Sequence, residues 1–161
     1  MGQRLKAASL AVALAALVAS VGACGGGESP ADGLLDNIDK ARSARTLSSL
    51  QQGLVAVQTV NAEGGAADAA ALAAALQQRD PTNRYTTAAP TDVGVVQVIG
   101  GGGGPVMLVG VSAPPSAAKP PAYLALWESS GSMLYYLGSQ PPAYTTSAPS
   151  GAGWSSTPPQ A

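Results

Sequence analysis

The sequence predicts an α+β domain in which a long N-terminal helix packs on an antiparallel β-meander of three to four strands. Apolar residues recur three or four positions apart between Leu34 and Val57, which places them on one side of an α-helix. After Asp80-Pro81, short β-branched and aromatic runs separated by turn residues follow instead. Short links between such runs favour antiparallel neighbours, and the helix can cover one face of the resulting sheet.

The first helix is predicted to present an apolar stripe to the sheet: Leu34, Ile38, Ala41, Leu47, Leu50, Leu54 and Val57. Asp32 stands where an N-cap residue would, and Asp36 can pair with Lys40 one turn later. Gly64 and Gly65 end the helix because glycine is a poor helix former. Three polar residues are predicted to face solvent: Arg42, Arg45 and Gln51.

The remaining elements are shorter. The alanine-rich stretch "AADAAALAAALQQRD" predicts a second helix, which stops at Asp80 because a residue before proline disfavours the α region. Four runs are predicted as strands: 93–99, 106–111, 123–127 and 133–138. Gly100 to Gly104 form a flexible hairpin connection between the first two, and Glu128 to Ser132 join the last two. Residues 139–161 have the composition of a disordered tail rich in Pro, Ser and Gly, so the domain is predicted to span 34–138.

The N-terminus has the three parts of a secretory signal peptide, predicted to cover residues 1–23. The basic start "MGQRLK" is followed by the uncharged run "AASLAVALAALVASVGA", which ends in small residues. This run is slightly short for a bilayer span, which needs roughly 20 apolar residues. A retained single-span anchor is the alternative.

Val21-Gly22-Ala23-Cys24 resembles the lipobox of bacterial lipoproteins, an aliphatic residue and two small ones before a cysteine. The resemblance implies that a diacylglyceryl group is attached to Cys24, that the chain is cut before it, and that its new amino group is often acylated as well. Several acyl chains make such an anchor stable. The implied location is the extracytoplasmic face of a cell membrane, with residues 24–33 as a flexible tether of the Gly/Ser-rich kind.

Composition excludes several functions. Without Arg4 and Lys6, six basic residues remain against nine acidic ones, so no basic stripe for nucleic acid is present. Cys24 is the single cysteine, which excludes internal disulfides. The absence of histidine excludes a Ser-His-Asp or Cys-His arrangement and any His-containing metal site. We expect no catalytic, cofactor or metal residues.

Three short motifs are better explained as structure than as active sites. Ser116-Ala117-Ala118-Lys119 matches a bare S-x-x-K, but prolines on both sides favour a loop. Gly100 to Gly104 could cradle a phosphate, but no Lys-Ser/Thr pair follows. Asp36 and Asp39 lie one turn apart and are interpreted as solvated helix charges.

Six aromatic residues are candidates for a glycan-binding surface: Tyr85, Tyr123, Trp127, Tyr135, Tyr136 and Tyr144. Core and cross-strand packing is the more common role of strand aromatics. The consecutive Tyr135 and Tyr136 must face opposite sides of a strand, so one of them is expected at the surface.

The predicted head resembles the globular domain of type IV pilins and type II secretion pseudopilins. The stretch "DKARSARTLSSLQQGLVAVQT" is similar to a pilin helix entering its head, and "YLALWESSGSMLYYL" to a pilin strand, Ser-Gly turn and strand. The resemblance covers roughly Asp36 to Leu137. It implies a non-enzymatic lipoprotein that contacts an envelope, pilus or secretion protein. A carrier of a hydrophobic or lipid ligand is the alternative, and an enzyme is a third class.

Overall fold

The computed structural model describes residues 30–113 and 120–159, with side chains from Asn37 onward. Two helices and six strands follow one another in these residues: α1 (Pro30–Ala62), α2 (Ala69–Arg79), β1 (Arg84–Thr86), β2 (Val95–Gly100), β3 (Val106–Ala113), β4 (Ala122–Ser129), β5 (Ser132–Gly138) and β6 (Trp154–Ser155). The predicted α+β class is confirmed. The signal peptide and the lipobox, residues 21–24, lie outside the described residues.

The start of α1 differs from the prediction and its end agrees with it. The helix begins at Pro30, so Asp32 lies inside the first turns rather than at the cap, and residues 30–33 of the predicted tether are helical. Proline suits a first helical position because its missing N–H would have no partner there. At the other end, Gly64 adopts a φ of 118°, and the Gly65 amide donates to the Val60 carbonyl at 2.9 Å. Glycine accepts this left-handed conformation without strain, and the helix ends.

The second helix ends at Asp80, as predicted, but begins at Ala69, three residues later than the predicted stretch. The Asp68 carboxylate caps α2 by accepting from the Ala71 amide at 2.8 Å. Asp80 is the C-cap, and its amide donates to the Leu76 carbonyl at 2.8 Å.

The sheet has six strands in sequential order and is mixed, which corrects the predicted antiparallel meander of three to four strands. The four predicted runs form β2 to β5, which pair antiparallel. The added edge strand β1 is parallel to β2, with Arg84 opposite Val95. Parallel strands normally need a long crossover. Here a short loop suffices, because a three-residue strand requires the chain to return by only about 10 Å.

The helices cover one face of the sheet, called the helical face below. α1 contacts β3 and β4, whereas α2 contacts β1 and β2. Leu50 and Val57 are completely buried there, and Leu54 is nearly so. Arg42, Arg45 and Gln51 are exposed, as predicted.

Two glycines let the backbones of α1 and β3 approach closely. A Cβ at Gly110 would lie 2.7 Å from Thr46 Cγ2, and a Cβ at Gly53 would lie 3.0 Å from Leu108 Cδ1. The Thr46 hydroxyl donates to the Val111 carbonyl at 3.1 Å, which fixes the helix at this crossing. Gly53 therefore provides space for packing, although glycine lowers the intrinsic stability of the helix.

The N-terminal part of α1 extends past the sheet. From Asn37 onward, Thr46 is the first buried residue of the helix, and most residues from Asn37 to Arg45 are exposed. Ile38 and Ala41, predicted to face the sheet, are exposed as well. The predicted apolar stripe is therefore wrong at these two positions, and the side chain of Leu34 lies outside the described residues.

The opposite face of the sheet, called the outer face, is covered by residues 139–159, which we call the strap. Tyr144 and Trp154 pack against a buried cluster formed by Met107, Val109, Ala125 and Trp127. Within the strap, β6 pairs with β5, with Trp154 opposite Tyr136. The predicted disordered tail is thus corrected over these residues.

Hydrogen bonds to backbone carbonyls fasten the strap. The Trp127 indole donates to the Thr145 carbonyl at 3.1 Å, and the Tyr144 hydroxyl donates to the Pro105 carbonyl at 2.9 Å. The Tyr136 hydroxyl donates to the Gln140 carbonyl at 3.0 Å. Aromatic side chains thus supply both apolar contacts and hydrogen bonds. These hydrogen bonds matter because the strap has almost no regular secondary structure.

Candidate functional site

The structure separates the residues that the sequence singles out. Cys24 and the Ser116–Lys119 motif lie outside the described residues, and so does the side chain of Asp36. Asp39 lies on the projecting part of α1, where its carboxylate is 3.6 Å from the Arg42 guanidinium. In residues 30–113 and 120–159, no group of three His, Cys, Asp or Glu residues could hold a metal ion.

The five glycines connect β2 to β3 as a hairpin, as predicted. Their loop also contacts the connection between the helices, because the Gly102 amide donates to the Ala66 carbonyl at 2.9 Å. A Cβ at Gly101 would lie 3.1 Å from the Asp68 carbonyl carbon. The glycines therefore permit two backbones to pack together, which is a structural role.

A polar cluster joins the end of α2 to β1. One Asp80 oxygen, Oδ2, accepts from the Tyr85 hydroxyl and from the Asn83 amide, both at 2.7 Å. The other, Oδ1, accepts from the Thr82 amide at 3.0 Å and from the Thr82 hydroxyl. Asn83 also donates to Gln52 Oε1 on α1 at 3.3 Å. The cluster thus links both helices to the edge strand.

These contacts shift the pKa values of the two titratable groups of the cluster, Asp80 and Tyr85, in opposite directions. Burial alone would raise the pKa of Asp80, but the hydrogen bonds from Thr82, Asn83 and Tyr85 outweigh it and lower this pKa to about 2. Burial, together with the hydrogen bond to Asp80 and its negative charge, raises the pKa of the Tyr85 hydroxyl well above its usual range. The Asp80 carboxylate and the neutral Tyr85 phenol hold each other in place, so their role is structural.

A recess with mixed chemistry lies in the strap. Tyr136 of β5 and Trp154 of β6 form one wall, with ring centroids 5.2 Å apart and ring planes tilted by 51°. They line two neighbouring surface grooves, one of about 560 Å³ lined mainly by the strap and one of about 380 Å³ towards Pro159. We call the larger one the strap groove.

Glycines fix the position of the Tyr136 ring. A Cβ at Gly138 would lie 2.2 Å from the Tyr136 hydroxyl oxygen, and a Cβ at Gly153 would lie 2.7 Å from Cε2 of the same ring. The ring therefore occupies the space left by two missing side chains. Its hydroxyl donates to the Gln140 carbonyl, which also holds the ring in this position.

The structure divides the predicted aromatic set between the two faces. Tyr85 and Tyr135 belong to the core of the helical face, whereas Tyr123, Trp127, Tyr136 and Tyr144 belong to the outer face. The prediction that Tyr135 and Tyr136 point to opposite sides is confirmed. Trp154, which the predicted set does not include, belongs to the outer face as well. The signal that could have indicated it is the run "VMLVGV", which is apolar on both faces and therefore needs two covers.

Among the residues with described placement, no helix is long and apolar enough to cross a membrane. In comparisons with known proteins, no family model matches the chain, and no curated protein or solved structure is significantly similar to it. The lipobox and pilin resemblances therefore rest on the quoted residues alone.

Proposed function

We propose that this chain is a lipid-anchored protein of the cell envelope, with a non-enzymatic head that serves as an interaction or structural module. The observation that carries the proposal is the sequence Val21-Gly22-Ala23-Cys24 at the end of an uncharged run that follows a basic start. Acylation of Cys24 would join the head to the membrane from the extracytoplasmic side.

The projecting part of α1 supports this proposal because it lies between the proposed anchor and the head. Residues 30–45 span about 24 Å along the helix axis at 1.5 Å per residue. The head begins at Thr46, which is the first buried residue among the side chains described from Asn37 onward. A helix holds a fixed length where a flexible linker would not, so this segment acts as a spacer that carries the sheet away from the lipid surface.

The finer form of the proposal is a pilin-like head that contacts a pilus or secretion protein. A long N-terminal helix that first projects and then packs on antiparallel hairpins supports this likeness. The alternative of a carrier for a hydrophobic ligand is less favoured, because the grooves described above open at the surface and include polar groups in their linings.

The experiment is metabolic labelling with an alkyne analogue of palmitate, followed by mass spectrometry of the membrane fraction. The native chain should incorporate the label and begin at Cys24. Cys24→Ser should remove all label and leave an uncleaved precursor, whereas Ser29→Ala, outside the lipobox, should behave as the native chain. An unmodified cysteine in a membrane-bound mature protein would contradict the proposal.

A further inference from the structure

The strap groove carries no charge and is built from two kinds of group. Its lining includes hydroxyls and an amide from Thr145, Ser147, Ser150 and Gln140 beside the two aromatic rings. No residue after Glu128 in the whole sequence is charged. Charged ligands are recognised by opposite charges or charge-assisted hydrogen bonds, and none can come from this lining.

The aromatic wall offers partly exposed ring surface. Tyr136 and Trp154 are both half-buried, so part of each ring faces the groove. An aromatic face carries partial negative charge, which attracts polarised C–H groups that approach it flat. A ligand with one apolar, C–H-rich face and hydroxyls around its rim would use both the rings and the polar side chains.

We propose that the strap groove is a binding site for a neutral oligosaccharide. A pyranose ring is uncharged, presents C–H groups on a flat face and carries hydroxyls that can bond to Thr145, Ser147, Ser150 and Gln140. The groove volume of about 560 Å³ falls within the range of small-molecule sites. Simple alkyl chains fit less well, because they would leave these polar groups without partners. The proposal goes beyond the lipid anchor and does not depend on it.

The site is prebuilt, which favours binding without a large ordering cost. Gly138 and Gly153 leave the space that the Tyr136 ring occupies, and the strap is hydrogen-bonded to Pro105, which precedes β3, and to Trp127 of β4. A rigid aromatic platform loses little conformational entropy when a sugar stacks on it. The strap therefore covers the outer face and also shapes a recognition surface.

The test uses the full chain in phosphatidylcholine vesicles and two neutral β-1,4-linked probes, cellohexaose and N-acetylchitohexaose. Tryptophan fluorescence reports on the site because the chain has two tryptophans, of which Trp154 lines the groove. At least one probe should change the emission saturably. Ala148→Trp, which fills the groove at an exposed alanine, should weaken binding by about tenfold or more. Ala74→Trp, on the exposed side of α2, is the matched control and should bind as the native chain does.

A second variant tests the platform itself. Trp154→Leu keeps an apolar side chain but removes the ring, and calorimetric titration should show about tenfold weaker binding. Circular dichroism of each variant shows whether the fold is retained, and Ala148→Trp serves if Trp154→Leu unfolds. Three results would overturn the inference: no binding of either probe at millimolar concentration, equal binding by Ala148→Trp and the native chain, or displacement of bound sugar by dodecanol, which presents an alkyl chain.

Discussion

The two faces of the sheet are buried by covers of different kinds. The helical face is covered by Leu50, Leu54 and Val57 of α1 and by leucines of α2, a set that packs by shape and aliphatic area. The outer face is covered by the strap, with Tyr144 and Trp154 as its largest apolar contacts. The strap's ties are hydrogen bonds to backbone carbonyls, whereas the helices satisfy their own backbone groups.

This difference shows that a segment without hydrophobic periodicity can still bury one face of a sheet. β3 is buried along almost its entire length, so both of its faces require a cover. The helices cover one face with apolar side chains that recur at helical spacing. The strap covers the other face with a few large side chains at isolated positions. The following experiments test whether the strap is as necessary as the helices.

Removing the strap should have the largest effect. A chain that ends at Gly138 would expose Met107, Val109 and Trp127 to water. We expect a loss of about 3–5 kcal/mol in unfolding free energy, seen as a fall of about 10–20 °C in Tm. The double variant Tyr144→Ala, Trp154→Ala should reproduce most of this loss with the chain intact. An unchanged Tm after truncation would mean that the strap does not stabilise the fold.

Leu50→Ala tests the helical face. Leu50 is completely buried, and truncating such a leucine costs about 2–5 kcal/mol because lost transfer energy and a cavity add. Gln51→Ala, exposed on the same helix, should change the unfolding free energy by only a few tenths of a kcal/mol. Urea denaturation of both variants measures the difference. Equal, small effects would show that α1 is not part of the core.

Gly110→Ala tests how closely α1 approaches β3. The new methyl group would lie 2.7 Å from Thr46 Cγ2, so the helix would have to move away. We expect a loss of about 1–3 kcal/mol from this overpacking. Gly104→Ala is the matched control, since its Cβ would meet Gly101 O at an ordinary 3.5 Å. If both variants melt at the native temperature, the crossing is looser than described.

Acid should affect the helical face before the strap. The pKa of Asp80 is about 2 in the folded protein and ordinarily 3.8, so its contribution is present above pH 4 and is lost as the pH falls towards 2. We expect this contribution to the unfolding free energy to be about 1–2 kcal/mol, since solvent weakens the interactions of a partly exposed carboxylate. The strap contains no Asp or Glu, and its side-chain hydrogen bonds to the sheet join phenol and indole donors to carbonyls.

Urea denaturation between pH 2 and 5 measures this effect. Asp80→Asn should give a flatter pH dependence than the native chain. Tyr85→Phe removes one donor to Asp80, so the folded pKa of Asp80 moves closer to 3.8, and the acid-induced loss should be smaller and complete at a higher pH. Identical pH profiles for the native chain and Asp80→Asn would contradict the assignment.

The features of the fold and of the candidate site that could be predicted are those that depend on a few neighbouring residues. Asp80-Pro81 and Gly64-Gly65 set helix ends because their backbone preferences act within a few residues. The alternation of Tyr135 and Tyr136 followed from strand geometry alone. The pairing of Tyr136 with Trp154 could not be predicted, because it joins positions 18 residues apart through a segment with no pattern of its own.

The sequence by itself determined the α+β class, the C-terminal ends of both helices and the approximate positions of β2 to β5, since these depend on periodicity and on glycine and proline. It also determined the absence of histidine and of any charge after Glu128, which restricts the chemistry of every site. Only the tertiary structure decided that the part of α1 before Thr46 projects from the sheet, that β1 runs parallel to β2 and that the strap covers the outer face. Each of these depends on contacts between distant residues, where the burial of apolar surface outweighs weak local preferences.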